Sequence, residues 1–88
     1  MSDLRDRVDR AVRNYLAERL AVLGKSGDAS TSADLFDDAI LDSVALTGLI
    51  AAVEHAADRG IDFIEVDVDT LGTADGIVAE LSRVLEGR

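Results

Sequence analysis

The sequence predicts an all-α protein, a small bundle of antiparallel helices, and three observations lead there. Apolar residues recur at helical spacing in three separate stretches. Residues that start or stop helices stand at the ends of those stretches. No segment alternates apolar and polar residues convincingly enough to give a strand a partner. Composition agrees: the chain has no Pro, no Trp, one Tyr and two Phe, so its core must be aliphatic. Its abundant Ala, Leu and Arg favour helix. Eighty-eight residues make one domain, 1–88, and are too few for two.

The first helix is predicted over 3–23, with Asp3 as cap, Gly24 as stop and an inner face of Leu4, Val8, Ala11, Val12, Tyr15, Leu16, Leu20 and Leu23. "GKSGDASTSAD" then loses all periodicity and reads as a long loop. In "LFDDAI", Leu35, Phe36 and Ile40 are expected to tuck that loop onto the core. The second helix starts at Asp42 or Ser43, either of which can cap it. Its apolar face is Leu46, Leu49, Ile50, Val53 and Ala57, and "DRG" at 58–60 ends it. "IDFIEVDVDTL" is ambiguous between a strand and a buried turn followed by a short helix near 67–71, and the lack of a partner strand favours the latter. Thr73 caps a last helix with Ala74, Ile77, Val78, Leu81, Val84 and Leu85 inside and Gly87 beyond its end. The order is long helix, long loop, helix, short helix, helix, which suits an antiparallel bundle.

Charge and composition narrow the function classes. The net charge is −9, and five of the nine basic residues lie in the first 19 positions (Arg5, Arg7, Arg10, Arg13, Arg19). From Ser26 to Ser82 there are 13 acids against one base, Arg59. Such a surface repels nucleic acid and anionic lipid and is drawn to basic protein patches. Without Cys there is no disulfide, thiolate zinc site or thiol nucleophile. No apolar run approaches a membrane span, and "MSDLRDRVDR" is too charged for a secretory signal, so a soluble, cytoplasmic, monomeric protein is expected. "DVDTLG" matches two positions of a calcium loop and fails at Leu71, so no dedicated metal site is expected.

One serine stands out. In "DAILDSVALTGLI", Ser43 lies between an acid and an aliphatic run at the predicted start of the second helix. As a nucleophile it lacks a base: the only His, His55, is 12 residues along the same helix, and no G-x-S-x-G elbow surrounds it. No enzymatic activity is expected. As an attachment point it is better placed, since a phosphodiester on a serine at a helix start faces unpaired N–H groups and the positive end of the dipole. The long preceding loop leaves the hydroxyl at a corner that a transferase can reach.

"LFDDAILDSVALTGLIAAVE" resembles the core of the acyl and peptidyl carrier proteins, in which an Asp-Ser-Leu or close variant opens the second of four helices. The tripeptide alone is unspecific. The helix and loop before it, the short and capped helices after it, the acidic charge and the chain length extend the resemblance over nearly the whole sequence. It implies a small four-helix bundle of the acyl-carrier-protein type: three main antiparallel helices, a short third helix, and a long loop after helix one. It also implies that Ser43, preceded by Asp42 and followed by Val44 in place of the usual Leu, carries 4′-phosphopantetheine from coenzyme A. Acyl or aminoacyl groups would ride on the arm's thiol as thioesters. The implied partners are a phosphopantetheinyl transferase, an adenylating or acyl-loading enzyme, and a downstream synthase or transferase. Ala45 and Gly48 replace acids usual early in helix two of fatty acid carriers, and "HAADRGIDFI" departs from the usual end of that helix. This points to a specialised pathway, polyketide, nonribosomal peptide or related.

Partner contacts are expected on the outer side of the second helix, at Val44, Thr47, Gly48, Ala51, Glu54 and His55. Val44, Gly48, Ala51 and His55 form a stripe opposite the apolar face. Gly48, costly mid-helix, is expected to leave room for an approaching enzyme. The competing expectation is a cofactor-free acidic helical adaptor that binds a basic protein partner.

Overall fold

The computed structural model describes residues 3–29 and 32–87. Three α-helices form it: α1 (Asp3–Val22), α2 (Ser43–Ala57) and α3 (Ala74–Glu86). No strand occurs among the described residues. The radius of gyration, 12.1 Å, matches the roughly 12 Å expected of a compact chain of this length.

Local chemistry sets each helix end. Asp3 lies inside α1, where its carboxylate accepts from Arg7 (3.0 Å). Gly24, at φ 69°, closes α1: its N–H donates to Ala21 O and that of Lys25 to Leu20 O, a pattern that needs a left-handed residue. Asp42 caps α2, its carboxylate accepting from Ala45 N at 2.7 Å. Ser43 is therefore the first helical residue and not the cap. α2 ends within the expected "DRG", but Asp58 rather than Gly60 takes the left-handed conformation (φ 55°). Thr73 caps α3 through Gly76 N.

The core is aliphatic and follows the predicted faces, except that α1 stops at Val22 and Leu23, expected on its inner face, lies beyond the helix and is exposed. Leu16, Leu20, Leu49, Val53, Ile77 and Leu81 are all buried, as are Val8, Val12, Leu46, Ile50, Ala57, Val78 and Leu85. Tyr15 lies against Gly48, and Arg19 against Asp42, so α2 runs antiparallel to α1. Arg13 reaches Asp75 at the start of α3, while the end of α3 lies beside the end of α2, so α3 also runs antiparallel to α1. At the far end Arg59 donates to Leu85 O. α2 and α3 thus run in the same direction as each other, and not every pair of main helices is antiparallel.

Three further expectations are corrected. The short helix expected near 67–71 is not an α-helix. The 58–73 connection holds two three-residue 3-10 turns, Phe63–Glu65 and Val68–Thr70, each capped by an aspartate (Asp62, Asp67) that accepts a backbone N–H two residues on. Nor is this turn buried throughout: Val66 and Leu71 are inside, while Phe63, Ile64 and Val68 face solvent. Phe36 does not tuck in beside Leu35 and Ile40, because Asp34 accepts from the N–H groups of Phe36 and Asp37 and winds them into an exposed turn.

Candidate functional site at Ser43

Ser43 sits where the long loop enters α2, and five hydrogen bonds and one left-handed turn fix its position. Ile40 and Leu41 are buried, and both donate their N–H to Leu35 O (2.9 and 3.1 Å). Ala39 turns the chain with φ 60°. From α1, the Arg19 guanidinium donates through Nε to Ile40 O (3.0 Å) and through Nη2 to Asp42 Oδ2 (3.4 Å). Asp42 uses its other oxygen, Oδ1, on Ala45 N.

These bonds leave the serine available. Its side chain is exposed and takes no part in the cap. The first intrahelical bond is made by Leu46 N to Asp42 O (2.8 Å), so the N–H groups of Ser43 and Val44 have no acceptor within the helix. Val44 beside it is 82% exposed. A phosphodiester on the Ser43 hydroxyl fits this corner, which offers open space, unpaired N–H donors and the positive end of a 15-residue helix. His55, exposed near the other end of α2, stands more than three turns from Ser43, too far for a hydrogen bond.

The residues expected to meet partners separate into two groups. Val44, Thr47, Ala51 and His55 are exposed, with Thr47 Oγ1 donating to Ser43 O (3.0 Å). Gly48 is half-buried under the Tyr15 ring: a Cβ there would collide with the Tyr15 hydroxyl and lie 3.2 Å from Cζ. The missing side chain thus serves packing between α1 and α2 and not an open outer face. Glu54 is also engaged internally, accepting from Ile61 N at 2.7 Å to start the second connection.

Sequence reasoning missed Arg19, which reads as one more charge on the outer face of α1. It also missed Glu80, buried on α3 between Arg83 (2.6 and 2.9 Å) and Asp67 N (2.7 Å). The Arg83 guanidinium first, and the Asp67 N–H second, hold the Glu80 carboxyl below its ordinary value against the opposing effect of burial. The Glu80–Arg83 pair has i,i+3 helical spacing, but the Ile40 carbonyl and Asp67 N–H that complete the two roles are brought close only by the fold.

Among the described residues no group of three His, Cys, Asp or Glu side chains converges to hold a metal, and no helix is long and apolar enough to cross a membrane. Comparison of the chain with protein-family models, with curated proteins and with solved structures returns no match.

Proposed function

We propose that this protein is a non-catalytic acyl or aminoacyl carrier in which Ser43 is the attachment point for 4′-phosphopantetheine. The observation that carries this reading is the exposed Ser43 hydroxyl on the first turn of α2, left free by an Asp42 cap and pinned to α1 through Arg19. The bundle supports it further: two helices antiparallel to α1, a long first connection and short helical turns in the second are what a four-helix carrier fold asks for. When bound, the arm supplies a thiol that holds cargo as a thioester on a long tether. The chain's own part is mechanical. It presents the serine oxygen at a fixed corner, offers N–H donors to the phosphodiester, and exposes Val44, Thr47, Ala51 and His55 beside it for the transferase, loading enzyme and downstream synthase. Nothing in this role requires a general base in the chain.

A cofactor-free adaptor is the alternative, favoured by the exposed apolar residues Phe63, Ile64 and Val68 set among Asp62, Glu65, Asp67 and Asp69. Such a surface suits an apolar cleft with a basic rim. Incubation with coenzyme A and a broad-specificity phosphopantetheinyl transferase separates the two readings. Intact-mass measurement should show one phosphopantetheine on the wild type and none on Ser43→Ala. An unmodified wild type, or modification at another residue, removes the carrier reading.

A further inference from the structure

The Ser43 corner contains an electrostatic problem and a residue placed to solve it. The cap of α2 is an aspartate, so a carboxylate lies directly beside the residue that would carry a phosphodiester. Two anions on adjacent residues repel, and although both are exposed (the Asp42 side chain 63%), they lie well within the roughly 8–10 Å over which salt screens charge. Asp42 cannot simply be removed, because its Oδ1 satisfies Ala45 N. A cation on the other carboxylate oxygen offsets the repulsion while leaving the cap intact.

Arg19 occupies that position. Its side chain is only 24% exposed, and the Nε bond to Ile40 O holds the guanidinium in one orientation with Nη2 facing Asp42 Oδ2. Arg7 and Arg13 on the same helix are engaged elsewhere, by Asp3 and by Asp9 and Asp75. Arg19 instead reaches across to the loop before Ser43. We propose that Arg19 is a positioning residue for the attachment site: it neutralises Asp42 so that the start of α2 tolerates a phosphodiester on Ser43. This inference rests on the carrier reading. The proposed role is electrostatic, so it belongs to the charge of Arg19 and not to its shape.

The test compares wild type, Arg19→Lys and Arg19→Met, each incubated with coenzyme A and a broad-specificity phosphopantetheinyl transferase. Two quantities are read: the rate of arm attachment by intact mass, and the difference in melting temperature between the modified and unmodified forms of each protein. The second reports the effect of the arm on folding independently of the transferase. Arg19→Met keeps the apolar stem and loses the charge. It should attach the arm about threefold to fivefold more slowly, and modification should lower its melting temperature about 2–4 °C more than that of the wild type. Arg19→Lys, which keeps the charge but not the Nε bond to Ile40 O, should stay closer to wild type than to Arg19→Met in both measurements. Asp42→Asn, which keeps a competent cap, gives an independent arm should Arg19→Met not fold: its modified form should gain melting temperature relative to wild type. Equal modified-minus-unmodified differences in wild type and Arg19→Met, an Arg19→Lys as impaired as Arg19→Met, or an unshifted Asp42→Asn overturns the inference alone. A wild type that takes up no arm overturns the carrier reading and this inference with it.

Discussion

The two connections of the bundle, residues 23–42 and 58–73, are held by different physics. The first is held by burial. Ala29, Leu35, Ile40 and Leu41 are all inside, and most of its polar contacts are local, as when Asp34 turns Phe36 and Asp37, with a tie to a helix side chain in the Arg19 grip on Ile40 O and Asp42. The second buries only Val66 and Leu71 fully and is tied down by polar groups on the helices. Glu54 of α2 accepts from Ile61 N, Glu80 of α3 accepts from Asp67 N, and Arg83 donates to Glu65 O (3.1 Å). The two meet where Leu35 N donates to Gly72 O at 2.6 Å. A loop with enough apolar residues anchors itself, whereas one that shows its apolar residues to solvent must borrow donors and acceptors from its neighbours.

The largest expected effect tests the buried connection. Leu35 is fully buried, and its carbonyl accepts from both Ile40 and Leu41. Leu35→Ala should cost about 2–5 kcal/mol, a large share of a small domain's stability. Chemical denaturation measures it, and hydrogen exchange should show the Ile40 and Leu41 amides loosened. A cost under about 1 kcal/mol, the range of sites that collapse without leaving a cavity, would mean that burial is not what holds this segment.

This difference in anchoring explains what was legible in the sequence. "LFDDAI" announced its anchor because Leu35 and Ile40 are apolar residues in a polar loop, and burial can be read from residue type. The same reasoning misplaced Phe36, whose exposure follows from the Asp34 turn. It also failed over 61–71, where Phe63 and Ile64 look like core yet Ile64 is 93% exposed. The true anchors there are Glu54, Glu80 and Arg83, charged residues on helices whose type suggests solvent. Ser43 was legible as a helix start because its signal is local. Tyr15 was legible as part of the inner face of α1, but its pairing with Gly48 and the role of Arg19 were not, since those partners lie more than twenty residues away.

The next effect tests the polar connection. Glu80→Gln keeps the side chain's shape but loses the charge that engages Arg83 and Asp67 N, and should cost about 1–3 kcal/mol at neutral pH. The pH dependence has a definite sign. The folded-state carboxyl lies below its ordinary value, so its contribution is fully present above the ordinary carboxyl range. It is lost as pH falls through the lowered folded value. The gap in stability between wild type and Glu80→Gln should therefore narrow in acid, as followed by urea titrations across pH. The Asp67 amide should exchange faster in the variant while Ile40 and Leu41 stay protected. A pH-independent gap, or loosening in both connections, would erase the distinction between them.

The smallest effect sharpens the comparison at one backbone position in each connection. Among the described residues each has one non-glycine residue in the left-handed region, Ala39 at φ 60° and Asp58 at φ 55°. The conformation costs an L-residue roughly 1–2 kcal/mol, but Asp recovers part of this through local hydrogen bonding by its short polar side chain, which Ala cannot do. Replacement by Gly removes the strain and adds unfolded-state entropy that opposes it by about 0.4–1 kcal/mol. Ala39→Gly should therefore gain up to about 1 kcal/mol, while Asp58→Gly should change stability by less than about 0.5 kcal/mol in either direction. Because Ala39 immediately precedes the Ile40–Asp42 segment gripped by Arg19, a gain at Ala39 would also show that the Ser43 corner is held in place against a local backbone preference. Differential scanning calorimetry on the two variants resolves the order. A larger gain at Asp58 than at Ala39 would place the strain in the second connection and reverse the reading of the first as the one that burial forces into shape.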